Sequence, residues 1–471
     1  MELWISAFYI AFRWFGFSVF FYMITVMVFY TFLMLASAIQ LRRNYHMTAS
    51  ESYEDMLRVS YTKPISILVP AFNEEAGIYG SIRSLLSVQY PEYEIIVIND
   101  GSSDRTLEKM IEQFQMVKIH HVIRKQLDTE PVRAVYQSTI HNHLFMIDKE
   151  NGGKADALNA GINFSRYPYF CSLDGDSVLE RTAFLKVMKP ILESNDDVLA
   201  SGGSIRIANG CKIESGSVVK VGLSKKPLVI MQEIEYLRAF LMGRIGLSRH
   251  NLLLIVSGAF GVFNKYWVVE AGGYLKHTVG EDMELIVRLH RMNRDRQLGK
   301  RIIYIPDPVC WTEAPESMKY LRRQRNRWHR GLTESLWKHK AMLFNPKYGT
   351  IGTVSMPYFL IIEWWSPVVE LCAYILLLSS VLIGGISEFT ILLFIASILY
   401  GSVFSMGAVL LEEWTLKKYP HVTDILRLFF YALTETLWYR PLTVIWRCQG
   451  IVQQLLGKKS WGEMKRKGVS S

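Results

Sequence analysis

The sequence predicts an α/β, Rossmann-like domain joined to membrane helices, and three observations support that prediction. Half of the 471 residues are apolar and 20% are charged, yet the apolar residues concentrate towards the two ends of the chain. In the middle, the β-rich runs Ile65–Pro70, Glu94–Ile98 and Pro168–Leu173 alternate with helical stretches, which is typical of a largely parallel sheet. Polar residues follow these runs directly, where ligands bind in such sheets.

Long uncharged runs near both ends predict membrane helices. Trp14–Ile39 contains no charged residue, and as a helix it extends about 39 Å, enough to cross a bilayer with tilt. A cleaved signal peptide is disfavoured because the run is too long and no small-residue cleavage site follows before Arg42. Leu371–Ser387 and Phe389–Leu411 are also uncharged, and we interpret them as two further membrane helices.

Basic residues beside these runs predict their orientation. The formal net charge is +10, and Arg42, Arg43 and a basic tail from Lys458 to Lys467 flank the apolar ends. Such flanks are typical of the cytoplasmic side, so we expect a multi-pass protein of the cell membrane with its middle region in the cytoplasm. No nucleic-acid recognition motif accompanies the charge, and we expect no nucleic-acid partner.

The region after the middle domain is harder to interpret. The stretch Asp424–Leu456 is apolar but interrupted by charges and Pro441, which favours interfacial helices, and Tyr348–Ile362 leaves the number of crossings open. Glu363 and Glu370 share a helix face; they either line a path for product or end a helix at the interface. The predicted division is residues 1–40 (membrane helix), 41–345 (catalytic domain), 346–456 (transmembrane and interfacial helices) and 457–471 (basic cytoplasmic tail).

Three segments at strand ends or helix starts are candidates for ligand binding. Asp100 ends the apolar run Ile95–Asn99, where a carboxylate can bind a base or a ribose hydroxyl. Pro70–Glu75 ends the preceding run and is also typical of a helix N-terminus. Gly152-Gly153-Lys154-Ala155-Asp156 suits phosphate binding, although it is not a Walker P-loop because Ala155 replaces Ser or Thr.

Acidic pairs and a basic helix complete the set. Asp174-Gly175-Asp176 follows an apolar run, and two carboxylates at this spacing can approach one hard cation, although such a pair on its own is more often a solvated acidic turn. Gly280-Glu281-Asp282 opens a helical stretch, where a carboxylate either caps the helix or acts as a general base. Gln324–Trp328 lies in a densely basic amphipathic helix of the kind that rests on a membrane or packs against its domain.

Taken in order, these motifs resemble the membrane-bound family 2 inverting glycosyltransferases, which include cellulose, chitin, hyaluronan and poly-N-acetylglucosamine synthases. The resemblance is strongest over Ile65–Gly331, and it implies a GT-A nucleotide-sugar fold. Two positions depart from the common pattern, since Gly280 stands where many processive members have Thr and Asn99 where many have Asp.

The resemblance implies a role for each site residue. Asp282 matches the catalytic base, Asp174 and Asp176 match the ligands of Mn²⁺ or Mg²⁺, and Ser257 and Gly258 match the acceptor side. The donor-binding positions that it implies are Pro70, Glu74, Asp100, Lys154, Asp156, Asp174, Gln324, Arg327 and Trp328, of which Trp328 also contacts the acceptor.

The implied function is transfer from a UDP-sugar to a growing β-linked polysaccharide at the cytoplasmic membrane face. The favoured donor is UDP-N-acetylglucosamine, followed by UDP-glucose, and the expected partners are the glycan acceptor, membrane lipids and an export protein. Two alternatives stay open from the sequence: a glycolipid synthase that transfers one sugar, and a non-catalytic membrane protein with the same fold.

Overall fold

A ten-stranded sheet lies at the centre of the chain in the computed structural model, which describes residues 2–48, 62–175, 177–194, 196–214, 217–382 and 388–458. The strands are β1 Ile65–Ala71, β2 Tyr93–Asp100, β3 Met116–Ile119, β4 Val132–Ser138, β5 Leu144–Lys149, β6 Tyr169–Leu173, β7 Val178–Leu179, β8 Val198–Ile207, β9 Lys212–Glu214, β10 Ser217–Lys220, β11 Phe260–Asn264 and β12 Arg301–Thr312. Their order in the large sheet is β3-β4-β5-β2-β1-β6-β11-β8-β12-β7, while β9 and β10 form a separate hairpin.

Helices cover this sheet and extend from it. They are α1 Glu2–Thr48, α2 Ile78–Leu86, α3 Thr106–Gln113, α4 Lys154–Phe164, α5 Ala183–Glu193, α6 Pro227–Leu237, α7 Lys265–Glu270, α8 Glu281–Asp295, α9 Met318–Lys338, α10 Ser366–Leu382, α11 Glu388–Thr415 and α12 Val422–Leu455. Helix α6 continues without a break through a π-helical stretch, Arg238–Arg244, into a last turn at Ile245–Ser248.

Strand directions are mixed, so the prediction of a largely parallel sheet is wrong for about half of the pairings. Among the described strands, β2–β5, β1–β2, β1–β6 and β8–β12 pair in parallel, and the other five neighbours in the large sheet are antiparallel. Strands β4 and β5 are joined by residues 139–143 alone, too few for a parallel crossover. Strand β11 enters between β6 and β8 antiparallel to both. The α/β class is confirmed. The alternation of strands and helices along the sequence predicted the parallel strand pairs of the sheet but not the antiparallel ones.

Burial explains why the central strands read as apolar runs. Every residue of β6 and β8 is buried, and so are all but one of β1 and of β2, because helices cover both faces of the sheet. The predicted strands Ile65–Pro70, Glu94–Ile98 and Pro168–Leu173 therefore match β1, β2 and β6 within two residues at each end. The helix predicted to begin near Glu74 begins at Ile78. It follows a turn in which the Glu74 carbonyl accepts hydrogen bonds from the Gly77 and Ile78 amides.

Three helices among the described residues are long and apolar enough to cross a membrane: Trp14–Arg43, Ile351–Leu382 and Phe394–Thr415. The stretch Tyr348–Ile362 thus belongs largely to the second of these. The prediction of two later crossings agrees with the last two helices. Helix α1 continues to Thr48, past the boundary expected at residue 40, and residues 459–471 of the basic tail lie outside the described part of the chain.

The region expected to hold interfacial helices is one helix, α12. It runs for 34 residues with Pro441 inside it, and it does not qualify as a membrane span by length and composition within the described residues. Helix α12 packs against α9 and against α10 and α11, so it connects the catalytic domain to the apolar helices. Whether it lies in the membrane surface stays a prediction.

Candidate active site

The predicted donor-side residues lie at the carboxyl ends of three adjacent strands. Asp100 ends β2, Asp174 follows β6, and Pro70 is near the end of β1, which pairs in parallel with both. The segment from Pro70 to Glu74 packs against the Asp174–Gly175 turn, since a Cβ placed on Gly175 would stand 3.5 Å from the Pro70 carbonyl oxygen and 3.8 Å from Glu74 Cγ. The sheet therefore brings these residues to one edge, as the sequence predicted.

Lys149 holds one set of carboxylates beneath this edge, which we call the Lys149 cluster (Asp100, Lys149, Asp156 and Lys276). Lys149 Nζ lies 2.7 Å from Asp100 Oδ1 and 2.6 Å from Asp156 Oδ2, and all three side chains are almost completely buried. Lys276 Nζ lies 2.8 Å from the other Asp156 oxygen. Each buried carboxylate thus has a cationic partner, which is the condition for burying such charges, while Lys276 also pairs with the more exposed Asp128 and Glu130.

The Lys149 cluster shapes the glycine-rich turn before α4. The backbone amides of Gly152 and Gly153 donate to the two Asp100 oxygens at 3.0 and 2.7 Å. Gly153 has φ +87°, and a Cβ on Gly152 would lie 2.5 Å from Asp156 Oδ2, so neither position admits a side chain without strain. Asp100 and Asp156 therefore position this turn in the structure; their contact with a donor stays a prediction.

Lys154, the first residue of α4, is surrounded by a second set of acidic side chains, which we call the Lys154 cluster (Lys154, Asp174, Glu281 and Asp282). Lys154 Nζ lies 2.9 Å from Asp174 Oδ1, 3.6 Å from Glu281 Oε1 and 3.8 Å from Asp282 Oδ2. The exposed fraction of the side chain is 17% for Lys154, 25% for Asp174 and 22% for Asp282. Unlike the Lys149 cluster, this one is open to a ligand.

Charge is unbalanced in the Lys154 cluster, and the pKa values respond. Burial, together with the neighbouring Asp282 charge, raises the pKa of Glu281 to about 7. Burial also raises the pKa of Asp282, with the Lys154 ammonium opposing the shift and Asp174 adding to it. Burial alone would lower the pKa of Lys154, but the three carboxylates raise it above its ordinary value. Arg327 acts on both Glu281 and Asp282, so three acidic groups face two cations.

Asp282 is held at the N-terminus of α8, where the helix dipole favours its negative form. Gly258 lies directly over it: a Cβ at Gly258 would stand 2.2 Å from Asp282 Oδ2, and the Gly258 carbonyl accepts from Lys154 Nζ at 3.1 Å. Ser257 Oγ accepts from the Ala259 amide within the same loop at 3.2 Å. The predicted base and the predicted acceptor loop are therefore in contact.

Two glycines join α8 to α9 at this site. A Cβ on Gly280 would lie 2.7 Å from Gly331 Cα, and a Cβ on Gly331 would lie 2.8 Å from Gly280 Cα. A Thr at position 280 therefore has no room while α9 keeps this position. This contact gives the departure at Gly280 a steric reason that the sequence did not reveal.

Helix α9 carries the Gln324–Trp328 motif against the membrane-side helices. Arg325, which was not among the predicted site residues, donates to Glu235 at 2.5 Å and to Gln324 at 2.6 Å, and its guanidinium lies 4.2 Å from the centre of the Trp328 ring. The Tyr439 hydroxyl of α12 also donates to Glu235, at 2.7 Å. Arg325 is thus buried and fixed, while the Trp328 side chain is 43% exposed.

A cavity of about 1160 Å³ extends from Trp328 among the apolar helices. Its wall includes Glu363 and Glu370, and Arg440 pairs with Glu370 through two hydrogen bonds of 2.6 and 2.8 Å. Glu363 accepts from the Tyr358 hydroxyl at 2.7 Å. Both carboxylates thus line a cavity inside the helix bundle, and whether they line a path for product stays a prediction.

The structure therefore brings Asp174, Lys154, Gly258 and Asp282 together, while Trp328 and Gln324 line or adjoin the cavity beyond. Asp176 lies outside the described residues. Within them, no group of three or more His, Cys, Asp or Glu side chains is arranged to hold a metal ion. A divalent cation would fit Asp174 as one of few protein ligands, because Mg²⁺ sites use one or two carboxylates and take other ligands from phosphates.

Two family models match the chain. "Glycosyl transferase family 2" matches residues 66–213, and "Glycosyl transferase family group 2" matches residues 233–407. These segments contain both lysine clusters and α9.

Curated relatives share the same description. A poly-beta-1,6-N-acetyl-D-glucosamine synthase of Staphylococcus epidermidis is 28% identical over 384 residues, covering 80% of each chain. One from Staphylococcus aureus (strain COL) is 29% identical over 308 residues, which is 65% of this chain and 61% of the relative.

Solved structures are more distant. The mannosyltransferase PcManGT from Pyrobaculum calidifontis, in complex with GDP-Man and Mn²⁺, is 17% identical with a TM-score of 0.49, covering 88% of this chain and 99% of that one. S. aureus TarS 1-349 in complex with UDP-GlcNAc is 12% identical with a TM-score of 0.38, covering 84% and 92%. On the family models and the curated relatives, the chain is a family 2 glycosyltransferase, similar to the poly-β-1,6-N-acetyl-D-glucosamine synthases.

Proposed function

We propose that this glycosyltransferase transfers N-acetylglucosamine from UDP-N-acetylglucosamine to a growing β-linked polysaccharide at the cytoplasmic face of the cell membrane. The observation that carries the proposal is the Lys154 cluster, in which Asp282 at a helix N-terminus faces Lys154 in an opening between the donor-side and acceptor-side segments. The likeness to the staphylococcal synthases supports the choice of sugar over UDP-glucose.

Asp282 is the general base in this proposal. Its raised pKa and its 22% exposure suit a carboxylate that takes a proton from an acceptor hydroxyl as that oxygen attacks the anomeric carbon. The bond to the departing diphosphate breaks on the opposite face, so the anomeric centre is inverted and an α-linked donor gives a β-linkage. Gly258 leaves space for the acceptor oxygen because no side chain stands over Asp282.

Lys154 and Arg327 stabilise the leaving group. Both are cations close to the acidic residues, and negative charge develops on the diphosphate as the glycosidic bond breaks. When bound at Asp174 and Asp176, Mn²⁺ or Mg²⁺ supplies further positive charge to the phosphate oxygens. Gln324 and Trp328 close the site on the side of α9, with the exposed Trp328 ring offering a flat apolar surface to a sugar.

Export of the product is part of the proposal, and the cavity beyond Trp328 supports it. A path lined by Tyr, Glu and Arg side chains among the apolar helices provides hydrogen-bonding partners for sugar hydroxyls. The orientation rests on Arg42 and Arg43, which follow the uncharged run of α1 and favour a cytoplasmic catalytic domain. An export protein that receives the polymer is a further expected partner.

Release of UDP from a panel of UDP-sugars, with Mn²⁺ or Mg²⁺ and the full chain in lipid, tests the proposal. We expect the fastest release from UDP-N-acetylglucosamine, metal dependence, and a polymer that forms without an added lipid acceptor and grows long on a sizing gel. A product of one sugar on lipid would establish the glycolipid synthase instead. The absence of UDP release from every donor would contradict transfer altogether and favour the non-catalytic alternative.

A further inference from the structure

A second cavity, separate from the active site and from the path beyond Trp328, lies where the end of α1 meets the catalytic sheet. Its volume is about 570 Å³. Gln40 and Arg43 of α1, the turn Arg249–Asn251 and the first half of β12 from Arg301 line it. We call it the Arg43 cavity.

The lining of the Arg43 cavity is strongly basic. Arg43, Arg249 and Arg301 all line it, His250 adjoins them, and no acidic residue does. Within the described part of the chain, these three arginines make no ion pair, whereas most buried acidic groups of the catalytic domain have a basic partner. All three arginines are exposed to solvent, and an anion that enters the space between them is attracted by three positive charges. The helix that ends at Ser248 carries a partial negative charge at its C-terminus, which repels an anion. That charge is only about half an elementary charge, against three positive charges on the arginines.

The walls of the cavity are fixed by the fold. Asn251 adopts φ +55° and its Oδ1 accepts from the Ile302 amide at 3.1 Å, which ties the turn to β12. The Arg301 amide donates to the Asp197 carbonyl at 2.7 Å. At Gly246, a Cβ would lie 3.0 Å from the Leu33 carbonyl oxygen, so α1 packs directly on the last turn before the cavity. The cavity therefore lies at a tightly packed junction between a candidate membrane helix and the sheet.

Its position indicates what enters it. The uncharged run Trp14–Ile39 of this candidate membrane helix ends just before Arg42 and Arg43, so we expect the cavity to open near the boundary between membrane and water. Leu35, Ile39 and Arg43 are spaced four residues apart on one face of α1, and the side chains of Leu35 and Ile39 are 55% and 58% exposed. An exposed apolar stripe on the membrane helix thus adjoins a basic cavity. Acyl chains could contact the stripe while a phosphate of the same molecule occupies the cavity.

We propose that the Arg43 cavity binds the phosphate headgroup of an anionic phospholipid, whose acyl chains lie along Leu35 and Ile39. A free phosphate ion carries the same kind of negative charge as this headgroup. The exposed apolar stripe on α1 favours a lipid over free phosphate, because only a lipid has acyl chains to cover it. Basic pockets beside membrane helices on the cytoplasmic side bind anionic headgroups in this way. A bound lipid would then connect α1 to β12 and stabilise the joint between membrane and catalytic domain.

The test measures lipid retention and thermal stability of the full chain in nanodiscs of phosphatidylcholine with or without phosphatidylglycerol. We expect phosphatidylglycerol to raise the melting temperature and to be retained on native mass spectrometry. Arg43→Gln should weaken retention about fivefold, and Arg301→Gln, which lies outside the membrane helix, should do the same. Arg42→Gln is the matched control, because Arg42 is the neighbour of Arg43, is exposed like it, and does not line the cavity.

Each other outcome overturns the proposal. Equal losses in Arg42→Gln and Arg43→Gln would mean a diffuse attraction to the membrane surface rather than a site. Equal stabilisation by millimolar inorganic phosphate in phosphatidylcholine nanodiscs would assign the cavity to a soluble anion. No difference between the two lipid compositions would exclude anion binding there. Since none of these measurements uses sugar transfer, they stand or fall independently of the proposed activity.

Discussion

Lys149 and Lys154 are five residues apart, and each is surrounded by acidic side chains, yet the two clusters differ in every physical respect that matters for chemistry. Lys149 is fully buried between Asp100 and Asp156, at 2.7 and 2.6 Å, and Lys276 completes the charge balance. Lys154 faces Asp174, Glu281 and Asp282 at 2.9 to 3.8 Å, in a site that is about one fifth exposed.

The difference between the two clusters lies in how far their carboxylates are already bonded within the protein. In the Lys149 cluster, the Asp100 oxygens are already bonded to Lys149 and to two backbone amides, so the group stabilises a turn. In the Lys154 cluster, acidic groups exceed cations and the contacts are longer, so the free energy of the cluster improves when a further cation arrives. Saturation and exposure, rather than residue type, separate the structural cluster from the chemical one.

The largest effect should come from Asp282→Asn. Without a base, we expect sugar transfer to fall by about 10² to 10⁴-fold while donor binding and melting temperature stay close to wild type. UDP release and donor titration measure the two quantities. Glu281→Gln is the matched variant, since Glu281 is buried beside Asp282 and contacts the same lysine; a smaller loss is expected there. Near-normal turnover in Asp282→Asn with loss in Glu281→Gln would make Glu281 the base.

Lys149→Met should break the structural cluster instead. The substitution keeps the length of the side chain but leaves buried Asp100 without a cation and Asp156 with Lys276 alone, which costs about 3–5 kcal/mol of unfolding free energy. Thermal unfolding of the full chain measures this loss. Lys109→Met is the control, because Lys109 pairs with Glu75 at 3.0 Å on the surface and such pairs contribute about 0–1 kcal/mol. Equal melting temperatures for Lys149→Met and wild type would contradict a structural role.

Gly258→Ala tests the open space over the base. The added Cβ would lie 2.2 Å from Asp282 Oδ2, so the carboxylate has to move by about 1 Å, a displacement that costs about 100-fold in rate. We expect this loss in kcat with donor affinity retained. Gly16→Ala, where a Cβ meets nothing within 4 Å, should leave turnover unchanged. Full activity in Gly258→Ala would show that the acceptor does not need this space.

The sequence predicted local features well and distant contacts poorly. Strands β1, β2 and β6 were predicted because continuous apolar runs have few alternatives, and Asp100 and Asp174 follow from the strand ends. The contact of Arg325 with Glu235 joins positions 90 residues apart, and the contact of Gly280 with Gly331 joins two helices; neither leaves a periodic signal.

The same reasoning explains the errors in the fold. Alternating strands and helices indicate a parallel sheet, but β11 follows a long helical segment and pairs antiparallel with β6. The direction of β11 is determined by tertiary packing and not by the local sequence. The donor roles of Asp100 and Asp156 stay predictions, and the structure adds that both carboxylates already have partners within the protein. Their saturation depends on Lys149 and Lys276, and nothing in the spacing of the residues indicated that Lys276 would reach Asp156.

Arg325→Lys tests whether α9 needs a fixed guanidinium beside Trp328. Lysine keeps the charge but cannot bond Glu235 and Gln324 together while lying flat on the Trp328 ring. We expect about tenfold slower polymer growth and shorter products, at unchanged donor KM, since one bonded contact costs about 1–2 kcal/mol. Arg323→Lys on the exposed face of the same helix is the control. Equal effects of the two variants would assign Arg325 no special part in positioning Trp328.

Asn99→Asp, which we expect to affect stability at neutral pH and not catalysis directly, tests how finely the Lys149 cluster is balanced. The Asn99 amide donates to buried Asp148 at 2.7 Å, immediately before Asp100 in β2. An aspartate, as many family members carry here, would face Asp148 with a second carboxylate and add negative charge beside a cluster that is already neutral. We expect a loss of about 1–3 kcal/mol at neutral pH, from one hydrogen bond lost and a repulsion gained. Below about pH 4 the new carboxyl is protonated and donates again, so the difference from wild type should vanish there. A loss that persists unchanged at low pH would point to packing rather than charge, and no loss at pH 7 would mean that the cluster tolerates a further charge and that its balance does not hold the turn.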